Sequence, residues 1–90
     1  MTTIYKVVLS PSQTEYHLPE GAQVLSAREQ GSEICLWYLC NPERQKVTRR
    51  FRVFGTGHPI GALSGRLRFV GTAHLDGGRF VFHVFEEAAP

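Results

Sequence analysis

Glu33-Ile34-Cys35-Leu36-Trp37-Tyr38-Leu39-Cys40 carries apolar side chains at both phases of a period-two pattern. Read as a strand, it points Ile34, Leu36 and Tyr38 to one side and Cys35, Trp37 and Leu39 to the other. A strand with two apolar faces is central in its sheet or lies beneath a partner chain. Gln30-Gly31-Ser32 before it and Asn41-Pro42-Glu43 after it have the composition of turns.

The same alternation extends in both directions, and no long helical pattern competes with it. Upstream, strands are expected over Ile4–Leu9, Thr14–Leu18 and Ala22–Glu29, separated by Ser10-Pro11-Ser12 and Pro19-Glu20-Gly21. Downstream, they are expected over Lys46–Phe54, Arg66–Leu75 and Arg79–Glu86, with Asp76-Gly77-Gly78 as the last hairpin turn. Gly55–Gly65 reads as a loop with at most one short helical turn near residues 59–63, since proline suits a first helical position. The pattern predicts an all-β fold in a single domain over residues 1–90. About seven short, mostly antiparallel strands would form a small sandwich or barrel, joined as a meander. Open sheet edges are often closed by a second copy, and the two-faced fourth strand adds to the expectation of a homo-oligomer.

The formal net charge is only +2. General nucleic-acid binding is therefore not expected, because it calls for a strongly basic face. The cations are unevenly placed: Arg44, Lys46, Arg49, Arg50 and Arg52 fall close together. Such a local patch suits a small anionic ligand or an acidic protein surface better than a long polyanion. No apolar run approaches the roughly 20 residues that cross a bilayer, so no membrane partner is expected. The opening Met1-Thr2-Thr3-Ile4-Tyr5-Lys6 lacks the charged-then-apolar order of a signal peptide, and a cytoplasmic location is expected.

Within the patch, Thr48-Arg49-Arg50-Phe51-Arg52-Val53-Phe54 runs directly into Gly55-Thr56-Gly57-His58-Pro59. Alternation puts Phe51 and Val53 on one face and Arg50, Arg52 and Phe54 on the other. Guanidinium groups are forked cationic donors, and glycines let backbone N–H groups converge without Cβ interference. The expected ligand-binding residues are Arg50 and Arg52, the Gly55, Thr56 and Gly57 backbone, and His58 as a switchable contact. Trp37 is added as a stacking platform, and His83, within Phe82-His83-Val84, as a group that reaches a ligand or a subunit neighbour.

Catalytic and metal chemistry find little support. Cys35 and Cys40 lie on one strand facing opposite ways, so they share neither a disulfide nor a metal, and an apolar setting quiets a thiol. Ser64 lacks the spacing of a nucleophile elbow. His17, His58, His74 and His83 are not spaced as close metal ligands. No enzyme activity, metal or cofactor is expected.

Cys35-Leu36-Trp37-Tyr38-Leu39 before Asn41-Pro42, Arg50-Phe51 leading to Gly55-Thr56-Gly57-His58-Pro59-Ile60, and Gly71-Thr72 with Phe82-His83-Val84-Phe85-Glu86 form a recognisable set. Together they resemble a family of small, uncharacterised bacteriophage and prophage proteins. The resemblance implies a viral accessory protein in the host cell. Counter-defence by sequestering an anionic, nucleotide-type signal is the first expectation. The alternatives are an inhibitor or adaptor of a host defence or transcription protein, and a minor structural phage component.

Overall fold

The computed structural model describes residues 1–89. Seven strands form two antiparallel sheets: β1 (Thr3–Leu9), β2 (Glu15–Pro19), β3 (Gln23–Gln30), β4 (Glu33–Cys40), β5 (Lys46–Gly55), β6 (Leu67–Leu75) and β7 (Phe80–Glu87). Sheet A has the order β1-β4-β3, and sheet B the order β2-β5-β7-β6. The all-β expectation holds, with strand limits within a residue or so of those read from alternation. The helical turn falls at Gly61–Arg66, two residues later than expected, and a second short one at Asp76–Gly78 closes the β6–β7 hairpin.

The expected meander is corrected. Only β3–β4 and β6–β7 are hairpins; β1 pairs with β4, and β2 with β5. Two-sided apolarity makes β4 central, and β3 can flank only one side of it, so β1 supplies the other. In sheet B, the arginines of β5 find carboxylates on both neighbours, β2 and β7.

The facing sides of the two sheets make the core. Leu9, Ile34, Leu36 and Ala27 from sheet A meet Leu18, Phe51, Ala73 and Val84 from sheet B, all buried. The 18 Å short dimension fits two sheets about 10 Å apart with one layer of outer side chains. Tyr16 enters this core edge-on to Phe51 and keeps its hydroxyl satisfied at the rim. That oxygen accepts the Ser10 N–H at 3.0 Å and donates to the Gln13 carbonyl at 3.1 Å.

The sheets also meet along one seam, where β3 runs beside β6. A Cβ on Gly71 would lie 2.1 Å from the Ala27 carbonyl oxygen, so only glycine allows the approach. A bulge in β6 between Phe69 and Gly71 shapes the strand at this point. Further along, the Glu29 carboxylate accepts the His74 backbone N–H at 2.8 Å, and that bond holds the acid below its ordinary range. Its contribution is present at neutral pH and fades as pH falls through the lowered value.

Gly71→Ala must therefore push β6 off β3. We expect a loss of about 2 kcal/mol and a fall in melting temperature of about 8–16 °C, read by thermal unfolding. An unchanged melting temperature would contradict the seam.

Candidate functional site

Alternation along β5 sends Phe51 and Val53 inward and Arg50, Arg52 and Phe54 outward, as the sequence pattern requires. Each guanidinium meets an acid of this chain. Arg50 Nη2 donates to Glu15 Oε2 at 3.1 Å, directly across from it on β2. Arg52 Nε donates to Glu87 Oε1 at 2.8 Å, and the Glu87 side chain is only 9% exposed. Arg49, on the inward face at the end of the sandwich, grips Glu86 through Nε at 2.6 Å and Nη2 at 2.9 Å. Its Nη1 donates to the Ala22 carbonyl at 2.7 Å, and Arg68 adds a further contact to Glu86 at 3.2 Å.

The Gly55–His58 bend is engaged in the same way. The Thr56 N–H donates to the Val81 carbonyl at 3.2 Å, and the His58 N–H to the Gly55 carbonyl at 3.0 Å. Gly57 takes a φ of +88°, which side chains disfavour. The His58 ring folds back over Gly55, where an added Cβ would sit 2.8 Å from its Cε1. His83 joins the bend to the sheet: Nε2 is 2.8 Å from Thr56 Oγ1, and Nδ1 is 3.2 Å from Thr72 Oγ1. Thus Thr56 and His83 come together as a strut that holds the bend, while the His58 ring packs over Gly55. A shallow cleft of about 300 Å³ opens beside them, between His58 and Phe80, with the Arg79 guanidinium over the Phe80 ring.

Trp37 lies elsewhere. It pairs with Lys6 and Ser26 on the outer face of sheet A, while Arg50 and Arg52 lie on the outer face of sheet B, across the sandwich. One ligand cannot touch both outer faces of the same chain. Buried Cys35 and Cys40 alternate across β4, and burial pushes the Cys35 thiol above its ordinary pKa. No group of three metal-ligating side chains occurs among the described residues.

What occupies the outer face of sheet B is an aromatic row. Phe54, Phe85 and Phe69, from β5, β7 and β6, meet edge-to-face with centroids 5.9 and 5.6 Å apart. Phe69 is 57% exposed at the end of the row. Period-two spacing along β5 puts Phe54 on the face of Arg50 and Arg52, and Phe54 and Phe85 are both half-buried there. Their alignment with Phe69 follows only from the β5-β7-β6 order, which residue spacing does not show.

The chain is a small two-sheet β protein with an aromatic, ion-paired outer face. It belongs to the family described as Domain of unknown function (DUF7352), whose model matches residues 1–90. No curated protein and no solved structure matches it. No helix among the described residues is long and apolar enough to cross a membrane.

The ion pairs differ in burial, and their energetics should differ accordingly. The Arg49 and Glu86 side chains are 20% and 13% exposed. Arg49→Met should cost about 2 kcal/mol in urea unfolding because it strips bonds from a half-buried carboxylate. Arg50→Met, at an exposed pair, should cost under about 1 kcal/mol. Equal costs would contradict this ranking. The thiols give a separate check: at about pH 8, Ellman's reagent should leave both unreacted in the native protein and titrate two after unfolding. A rapid native reaction would contradict the burial of both.

Proposed function

We propose that this protein is a non-enzymatic binding module that docks a host protein, as an inhibitor or adaptor, through the outer face of sheet B. The carrying observation is the Phe54–Phe85–Phe69 row, flanked by Arg50 and Arg52, which their own glutamates hold in place. Aromatic anchors within a rim of pre-ordered arginines are the composition of interaction hot spots. Ordered side chains also lose less entropy on binding. The resemblance to phage-borne proteins supports a viral accessory role in the host cytoplasm, with a defence or transcription protein as the target.

This reading is favoured over sequestration of an anionic nucleotide. Such a ligand would have to displace Glu15 from Arg50 and Glu87 from Arg52. It would also find the Thr56 and His58 N–H groups already bonded within the chain. A protein surface makes no such demand, because it uses the rings and leaves the ion pairs in place.

Pull-down from host lysate tests the proposal. A partner should be recovered in equal amount with the wild type and with Ile4→Lys on the opposite face. Recovery should fall by roughly tenfold or more with Phe69→Glu. Full recovery with Phe69→Glu would overturn the assignment of this face. Saturable binding of cyclic dinucleotides or ADP-ribose-type signals, lost in Arg52→Ala, would restore the nucleotide reading instead.

A further inference from the structure

A two-sheet sandwich has four edges, and three of them are protected here. β3 and β6 shield one another along the seam, where Gly71 lies against Ala27 and the Glu29 carboxylate holds the His74 N–H. β2 is only five residues long, carries Glu15 and His17 outward, and ends in Pro19, which has no N–H to offer. Short length, charge and proline are the devices that keep an edge from pairing.

β1 is neither short nor interrupted by proline. Its seven residues, Thr-Ile-Tyr-Lys-Val-Val-Leu, pair with β4 in unbroken register from Thr3↔Cys40 to Leu9↔Ile34, without bulge or proline. Ile4 is 55% exposed, Tyr5 45% and Val8 43%. The single charge, Lys6, does not guard the edge. Its Nζ reaches inward across the sheet to donate to Gln30 Oε1 on β3. A long, bulge-free, β-branched edge of this kind is a template for another strand.

We propose that β1 pairs antiparallel with β1 of a second copy about a two-fold axis perpendicular to sheet A, giving a homodimer with a continuous six-stranded sheet. Self-pairing is singled out by closure. A two-fold axis consumes both open edges at once and yields the order β3-β4-β1-β1-β4-β3. The new outer edges are both β3, which β6 already covers, so growth stops at two. The axis keeps outer faces outer, so Ile4, Lys6 and Val8 of one copy meet the same set of the other. Like charges disfavour Lys6 opposite Lys6. A shift of two residues either way lays the Lys6 stem against Ile4 or Val8 of the second copy. In the first register Ile4 is covered by the Lys6 stem of the second copy, in the second register Val8 is, and the apolar strip with Trp37 and Leu39 becomes continuous across the axis.

Size-exclusion chromatography with light scattering, from about 10 to 200 μM, reads the outcome. The wild type should approach twice 10.1 kDa as concentration rises. The double variant Ile4→Lys, Val8→Lys should remain at the monomer mass with unchanged circular dichroism, and Phe69→Glu, on the other sheet, should still dimerise. Amide hydrogen exchange on the wild type provides a readout independent of any variant. Alternate β1 amides should gain protection with concentration, while those of β2 should not. A wild type that is monomeric throughout the range would overturn the proposal, as would a dimer whose β1 exchange does not depend on concentration. Monomeric purified protein that takes up an unrelated extended peptide on β1 would assign the edge to another chain and also overturn it.

Discussion

Arginine–glutamate pairing across β2, β5 and β7 is the constraint on which the rest of the molecule depends. Arg50 faces Glu15, Arg52 reaches Glu87, and Arg49 grips Glu86 with two bonds. Opposite charges placed across neighbouring strands favour one register, and a slip of one residue would turn every pair to the wrong face. Two of the acids lie on β7 and one on β2, so β5 is fixed between strands that are distant in sequence. The sandwich order follows from that placement together with the two-sided apolarity of β4.

The same pairing sets what the surface can do. Free guanidinium groups beside a glycine-rich bend would attract a phosphate. Here their charge is answered within the chain, and the bend is bonded to Val81 and tied to His83. The outer face of sheet B is then left with its aromatic row as the feature that water covers least well. Burial of such rings is worth more to a protein partner than to a small polar ligand. Sheet A presents a different surface, with an open edge and an apolar strip. Under the two proposals, the sheets would serve separate contacts, sheet B toward another kind of chain and sheet A toward a second copy of the same chain.

Much of this fold is legible in the sequence because period-two alternation is a local signal. The fourth strand, Glu33–Cys40, matches its expected limits, and the inward turn of Phe51 and Val53 against the outward turn of Arg50 and Arg52 holds. Strand order is not local. The pairing of β1 with β4 and of β2 with β5 depends on which distant faces fit. The site shows the same division. Arg50, Arg52, His58 and His83 can be singled out by residue type, and their side chains fall on sheet B or its bend. Their partners Glu15, Glu87 and Thr72 are separated from them by eleven or more residues, so no spacing rule links them. Trp37 joins them on chemistry alone, and the two-sheet arrangement places it on the opposite side.

The central claim is that the β5 guanidinium groups are held by this chain's own carboxylates. Arginine Nε–Hε resonances in a proton–nitrogen correlation spectrum read that state directly. The account predicts that the Arg49 and Arg52 signals exchange slowly with water and stay in place as a phosphate nucleotide is added to about 1 mM. A saturable shift of the Arg52 signal during that titration would contradict it.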